Sequence, residues 1–161
     1  VDRRQQIARE AGLRRVLPAV PLDDPEFAGQ VDLVLECSGH EAAALDGCRM
    51  VRKRGEVVQV GTPWVRQTDL HAHDLLHAVF HRYAVLRSGW EWELPLHPED
   101  FRRNSLYGNL RAALEWLADG RITVAGLYAT LPPERCQDAY QDLLHKRGDR
   151  LATVLEWTAP G

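Results

Sequence analysis

Two short runs constrain this chain more than any other feature. Val31-Asp32-Leu33-Val34-Leu35-Glu36-Cys37-Ser38-Gly39 and Glu56-Val57-Val58-Gln59-Val60-Gly61 are almost unbroken aliphatic and β-branched stretches that close on small residues. Such runs predict strands buried on both faces of a parallel sheet, since a half-exposed strand would alternate apolar with polar. Between them, 41–54 has helical periodicity, with Ala44, Leu45, Cys48 and Val51 facing inward. Arg52, Lys53 and Arg54 are expected in its last turn, where cations offset the negative helix end, and Gly55 is expected to stop it. Helical sequence returns at 74–81, and 84–89, Ala-Val-Leu-Arg-Ser-Gly, reads as a third strand. Strand and helix alternating with short connections predicts an α/β fold on a parallel sheet.

The flanks read differently. Asp2 and Gln5 have capping-box spacing ahead of an Ile7, Ala8, Ala11 stripe, with Gly12 as the stop. Residues 90–105 are irregular. An amphipathic helix then places Leu106, Leu110, Ala113, Leu114 and Leu117 on one face before Gly120. A strand is expected at 126–131. A helix should open at Pro133, carry Cys136, Ala139, Tyr140, Leu143 and Leu144 on one side, and end near Gly148. A last strand is expected at 151–157.

Composition excludes some partners. With 20 Lys and Arg against 23 Asp and Glu, the net charge is −3, so no nucleic-acid or anionic-membrane partner is expected. No apolar run approaches the ~20 residues that span a bilayer. The opening Val1-Asp2-Arg3-Arg4-Gln5-Gln6 is not a signal peptide; starting in helical sequence without Met, the chain is expected to be truncated or processed. Three cysteines, Cys37, Cys48 and Cys136, form no C-x-x-C pair, so a reducing cytoplasm is expected.

In this order the segments resemble the coenzyme-binding half of the medium-chain dehydrogenase/reductase family, which includes the zinc-dependent alcohol dehydrogenases. The strand ending Glu36-Cys37-Ser38-Gly39, the strand Gly55-Glu56-Val57-Val58-Gln59-Val60-Gly61, the segment Leu114-Glu115-Trp116-Leu117-Ala118-Asp119-Gly120 and the helix Ala139-Tyr140-Gln141-Asp142-Leu143-Leu144 are each similar to a family motif. The resemblance implies a parallel Rossmann-like three-layer sheet truncated at its N-terminus. It implies a partial coenzyme-binding domain over 1–125 and a segment, 126–161, that returns to a catalytic domain lying outside this chain. It further implies NAD or NADP as coenzyme, a small alcohol or carbonyl substrate, and association into homo-oligomers. Val60, Gly61, Thr62, Ser88 and Gly89 would face the nicotinamide, and Ser38 and Gly39 the adenosine side. Glycines there admit a flat ring, and main-chain N–H and C=O groups can orient a carboxamide. The same glycines serve equally well as turn residues.

The chain also departs from the family. No G-x-G-x-x-G is present, and neither are the segments that carry the family's catalytic zinc ligands. Asp2 is too close to Gly12 to be the family's ribose acid and fits better as a helix N-cap; Arg4 then matches a basic residue that can reach the ribose. Ala152 stands where many members place a basic residue for the pyrophosphate. The isolated chain is therefore expected to be inactive. His73, His77 and His81, spaced i, i+4, i+8 with His71 nearby, could share a metal, but no further ligand type is placed for catalytic zinc, so a surface role is expected. Trp90-Glu91-Trp92-Glu93 is expected to form an interface or a pocket wall. Cys37 has no base in sequence reach and should simply pack, and Glu36 should orient its neighbours. Two other readings remain open: a methyltransferase-like α/β domain, and a non-catalytic subunit-association module.

Overall fold

The helix expected at 41–54 ends early, and the reason shows how the sheet is built. In a computed structural model that describes residues 2–102, 104–145, 147 and 151–157, α2 spans Glu41–Met50 and β2 begins at once, spanning Val51–Gln59. Val51 is fully buried. Arg52, Lys53 and Arg54 are therefore not the end of a helix but an exposed bulge. Against β1 (Val31–Glu36), the pairing steps from Val31↔Val51 to Leu33↔Glu56, so the β2 side carries three extra residues. Arg52 takes an ion pair with Asp32 across this bulge, and Arg54 adopts a positive φ of 65°. Gly55 does not stop a helix. A Cβ there would lie 2.7 Å from Val51 Cβ and 3.1 Å from the Asp32 carbonyl oxygen, so only glycine lets the chain rejoin the ladder.

The rest of the central region follows the expected order. α3 spans Ala72–Arg82 and β3 spans Val85–Ser88. α3 stops where Tyr83 enters the left-handed region at φ 52° and the Ala84 N–H donates to the Val79 carbonyl. The three strands form one parallel sheet in the order β1-β2-β3. Leu45, Cys48, Val51, Val57 and Ala78 make the core, with Val34, Leu75, Val79, Ala84 and Leu86 packed around it. Val34, Val57 and Leu86 are register partners on one row, so α2 and α3 cover a single face of the sheet. A Cβ on Gly47 would lie 3.2 Å from both Val34 and Val57, which lets α2 sit close to the strands. On the other row Leu33 and Leu35 are half exposed, and Arg87 pairs with Glu56.

The chain divides into two compact units, residues 19–108 and residues 1–18 with 109–161. The second unit contains α1 (Arg3–Glu10), most of α4 (Leu106–Ala118), and the parallel pair β4 (Tyr128–Leu131) and β5 (Ala152–Leu155). Pro133 opens a 3₁₀ turn that leads into α5 (Cys136–Leu144). Gly148, the expected end of that helix, lies outside the described residues. Asp2 is the N-cap of α1, its carboxylate accepting the Arg4 N–H at 2.9 Å. No helix among the described residues is long and apolar enough to cross a membrane.

Candidate functional site

Parallel pairing puts the carboxyl ends of β1, β2 and β3 on one rim, the end of an open α/β sheet where ligands bind. Glu36 organises this rim although it is buried. Its carboxylate accepts the Ser38 N–H at 2.6 Å, the Ser38 hydroxyl, and the Gly39 N–H at 3.0 Å. Its main-chain carbonyl accepts the N–H groups of both Val60 and Gly61 at 2.8 Å. One residue thus folds the turn after β1 and ties it to the end of β2. The signal in the sequence was a lone acid closing an apolar strand.

The glycines of the rim are required by space. A Cβ at Gly61 would lie 2.2 Å from the Gly39 nitrogen, and one at Gly39 would lie 2.5 Å from the Thr62 carbonyl oxygen. Gly39 also has a φ of 70°. At Gly89 a Cβ would come within 2.8 Å of the Val58 side chain, while the Gly89 N–H donates to the Gln59 carbonyl at 2.7 Å. Their first role is close approach of one main chain to another.

Of the residues singled out in the sequence, Ser38, Gly39, Val60, Gly61, Thr62, Ser88 and Gly89 all meet at this rim. Val60, Gly61, Thr62 and Ser88 line a cleft of about 440 Å³ together with Gln59, Pro63, Trp90 and Glu91. Trp90 is thereby a wall of this cleft. Arg4 lies on α1 in the other unit, where it is exposed. The main-chain N–H groups of Val60, Gly61, Gly89 and Trp90 are already satisfied within the rim, the last by Ser88 Oγ at 3.1 Å. What the cleft offers a polar ligand is therefore side chains, the hydroxyls of Thr62 and Ser88 with Gln59 and Glu91, beside the apolar Val60 side chain. A flat, partly polar ring fits these surroundings, and the space is of the size that small-molecule sites use.

Two neighbouring features were not legible in the sequence. Glu41, in the first turn of α2, accepts the Gln67 N–H at 3.0 Å and so holds the loop that follows Thr62. That N–H, with the Glu41 N–H, His40 and Arg66, lowers the Glu41 pKa below the ordinary carboxylate value. His40 caps the same helix, its Nδ1 accepting the Ala42 N–H at 3.2 Å. Cys48 is buried, which raises its thiol pKa and keeps it protonated, a packing residue. Cys37 is exposed at the end of β1, its thiol 3.7 Å from the Leu35 carbonyl oxygen. Among the described residues no group of three or more His, Cys, Asp or Glu is gathered to hold a metal ion.

No protein-family model and no curated protein sequence matches the chain. Solved structures do. L-idonate 5-dehydrogenase from Escherichia coli superposes with a TM-score of 0.68 at 21% identity, over 96% of this chain and 41% of that one. Acetophenone reductase from Geotrichum candidum, solved in complex with NAD, gives 0.65 at 14% identity over 93% and 38%. Benzyl alcohol dehydrogenase from Acinetobacter calcoaceticus gives 0.65 at 16% identity over 97% and 41%. The chain therefore has the fold of one region of these two dehydrogenases and the reductase, and spans about two fifths of their length.

Proposed function

We propose that this chain is the C-terminal part of a zinc-type medium-chain alcohol dehydrogenase and supplies the nicotinamide side of its NAD or NADP site. The observation that carries this reading is the shared rim. Three parallel strands end in Ser38-Gly39, Gly61-Thr62 and Ser88-Gly89, and the last two border one cleft. The fold shared with two dehydrogenases and a reductase, the last solved with NAD, supports it.

The coenzyme, when bound, supplies hydride transfer to or from a small alcohol or carbonyl compound. Residues of this chain bind and orient. Thr62 and Ser88 present hydroxyls to a carboxamide, Val60 and Trp90 give apolar walls, and Glu36 fixes the rim. Arg4 is assigned to the adenosine ribose, and Ser38 and Gly39 to the adenosine side. Residues 1–125 belong to the coenzyme-binding domain, and 126–161 return to a catalytic domain that carries the zinc ligands and most of the substrate pocket. Alone, the chain has no pyrophosphate loop and is inactive. Copies of the parent associate into homo-oligomers, and the three free cysteines suit a cytoplasmic setting.

Saturation-transfer NMR of the chain with nicotinamide mononucleotide, AMP and S-adenosylmethionine tests this reading. Transfer should reach the nicotinamide ring and fall several-fold in the Thr62→Val, Ser88→Ala double variant. Transfer to S-adenosylmethionine alone would overturn the proposal in favour of a methyltransferase-like domain.

A further inference from the structure

His73, His77 and His81 lie along one stripe of α3, all three exposed, and border a cleft of about 380 Å³ with Arg49, Asp74 and Arg82. The three rings are not equivalent. The His77 and His81 rings lie against each other at a tilt, with ring centres 4.0 Å apart and planes 32° apart. His81 Nδ1 lies 2.9 Å from the His77 carbonyl oxygen. A carbonyl only accepts, so Nδ1 carries the proton, and His81 is pinned as a buttress behind the His77 ring. His73 and His77 are farther apart, at 5.9 Å with planes 46° apart.

Those separations decide what each pair can do. Two imidazoles that share one tetrahedral ion at ~2.0–2.1 Å from nitrogen have their ring centres about 5–6 Å apart. The His73–His77 pair meets that spacing, whereas the His77–His81 pair is too close to admit an ion. Neighbouring cations do not stand in the way. Arg49 reaches Asp46 at 3.5 Å, and the Arg82 guanidinium lies against Gly29, where an added Cβ would come within 2.3 Å of it. Asp74, in the same cleft, adds negative charge.

We propose that His73 and His77 form a two-histidine chelate on the outer face of α3 for one borderline divalent cation such as Zn²⁺ or Ni²⁺. Water fills the remaining positions, and His81 holds the His77 ring in place. Imidazole donors suit these ions and exclude Mg²⁺ and Ca²⁺, which require oxygen. The cleft shares no lining residue with the cleft at the carboxyl rim of the sheet.

Isothermal titration of the full chain with ZnCl₂ alone tests this, with circular dichroism to confirm that each variant is folded. One ion per chain is expected, bound through the two imidazoles. Its affinity should fall on the order of tenfold or more in His73→Gln and in His77→Gln, each of which removes one of the two protein donors. His81→Gln, which removes only the buttress, should weaken it less than either. Unchanged binding in His77→Gln would overturn the proposal, as would a loss in His81→Gln as large as that in His77→Gln. MgCl₂ should give no competing heat; displacement of zinc by Mg²⁺ would likewise overturn it.

Discussion

The central and terminal units carry amphipathic helices of similar quality yet use them differently. In residues 19–108, α2 and α3 bury Ala44, Leu45, Cys48 and Ala78 against the parallel sheet. In the terminal unit, Ile7 and Ala139 are the buried apolar residues among those described, while Leu114 and Leu144 are 66% and 71% exposed. The 3.6-residue pattern on α4 and α5 is as clear as that on α2. A stripe of leucines tells which side of a helix is apolar, and a second surface must exist before that side is worth anything. The central unit provides its own second surface in β1–β3.

Mutations should separate the two units sharply. The largest effect is expected at the rim. Gly61→Ala forces a Cβ to within 2.2 Å of the Gly39 nitrogen, which only backbone movement relieves. A loss of about 3 kcal/mol or more is expected, of the size that strain at a special backbone site produces, and urea unfolding measures it. Next comes the direct contrast. Leu45→Ala should cost about 2–5 kcal/mol, as for other core truncations. Leu114→Ala should stay within about 0.5 kcal/mol, as exposed substitutions do. Equal losses from the two would dissolve the distinction between the units.

The smallest effect sharpens the picture within the central unit. Glu41 has its pKa lowered by the Gln67 N–H, so the folded chain favours the ionised form. The stabilisation it gives is therefore present above the unfolded pKa and is lost as pH falls through the lowered folded value. The protection factor of the Gln67 amide, taken relative to its intrinsic exchange rate at each pH, should fall over that acidic range, and in Glu41→Gln this pH-dependence should disappear. Protection that does not change with pH in the natural chain would rule out the carboxylate as the holding group.

Much of the central fold was legible because near-continuous apolar strands leave a compositional mark, although the burial expected on both faces is met on one: α2 and α3 cover one row, and Leu33 and Leu35 on the other are half exposed. The segments 31–36, 56–59 and 85–88 announced themselves through β-branched runs, and the small residues after them located the rim. The bulge at Arg52–Gly55 was hidden. Three cations before a glycine look the same whether they close a helix or loop out of a strand. What separates the cases is whether Val51 is buried by strands far away in sequence. The same limit applied to the site. Glycines at 39, 61 and 89 were visible, but their reason, one main chain pressing on another, depends on β1 and β2 being neighbours. Arg4 was matched by position along the chain, and no local feature places it at the rim. The clasp of Glu41 on Gln67 spans 26 residues and left no short-range trace.

Where Gly39 and Gly61 press together, the shape of the rim is written in main-chain atoms. Exposed side chains on it that hold no main-chain group of the rim, such as Thr62 and Trp90, are free to vary without disturbing the seat beneath them. A rim built this way can change its surface by substitution without changing its shape. The two glycines would be the last residues to tolerate exchange.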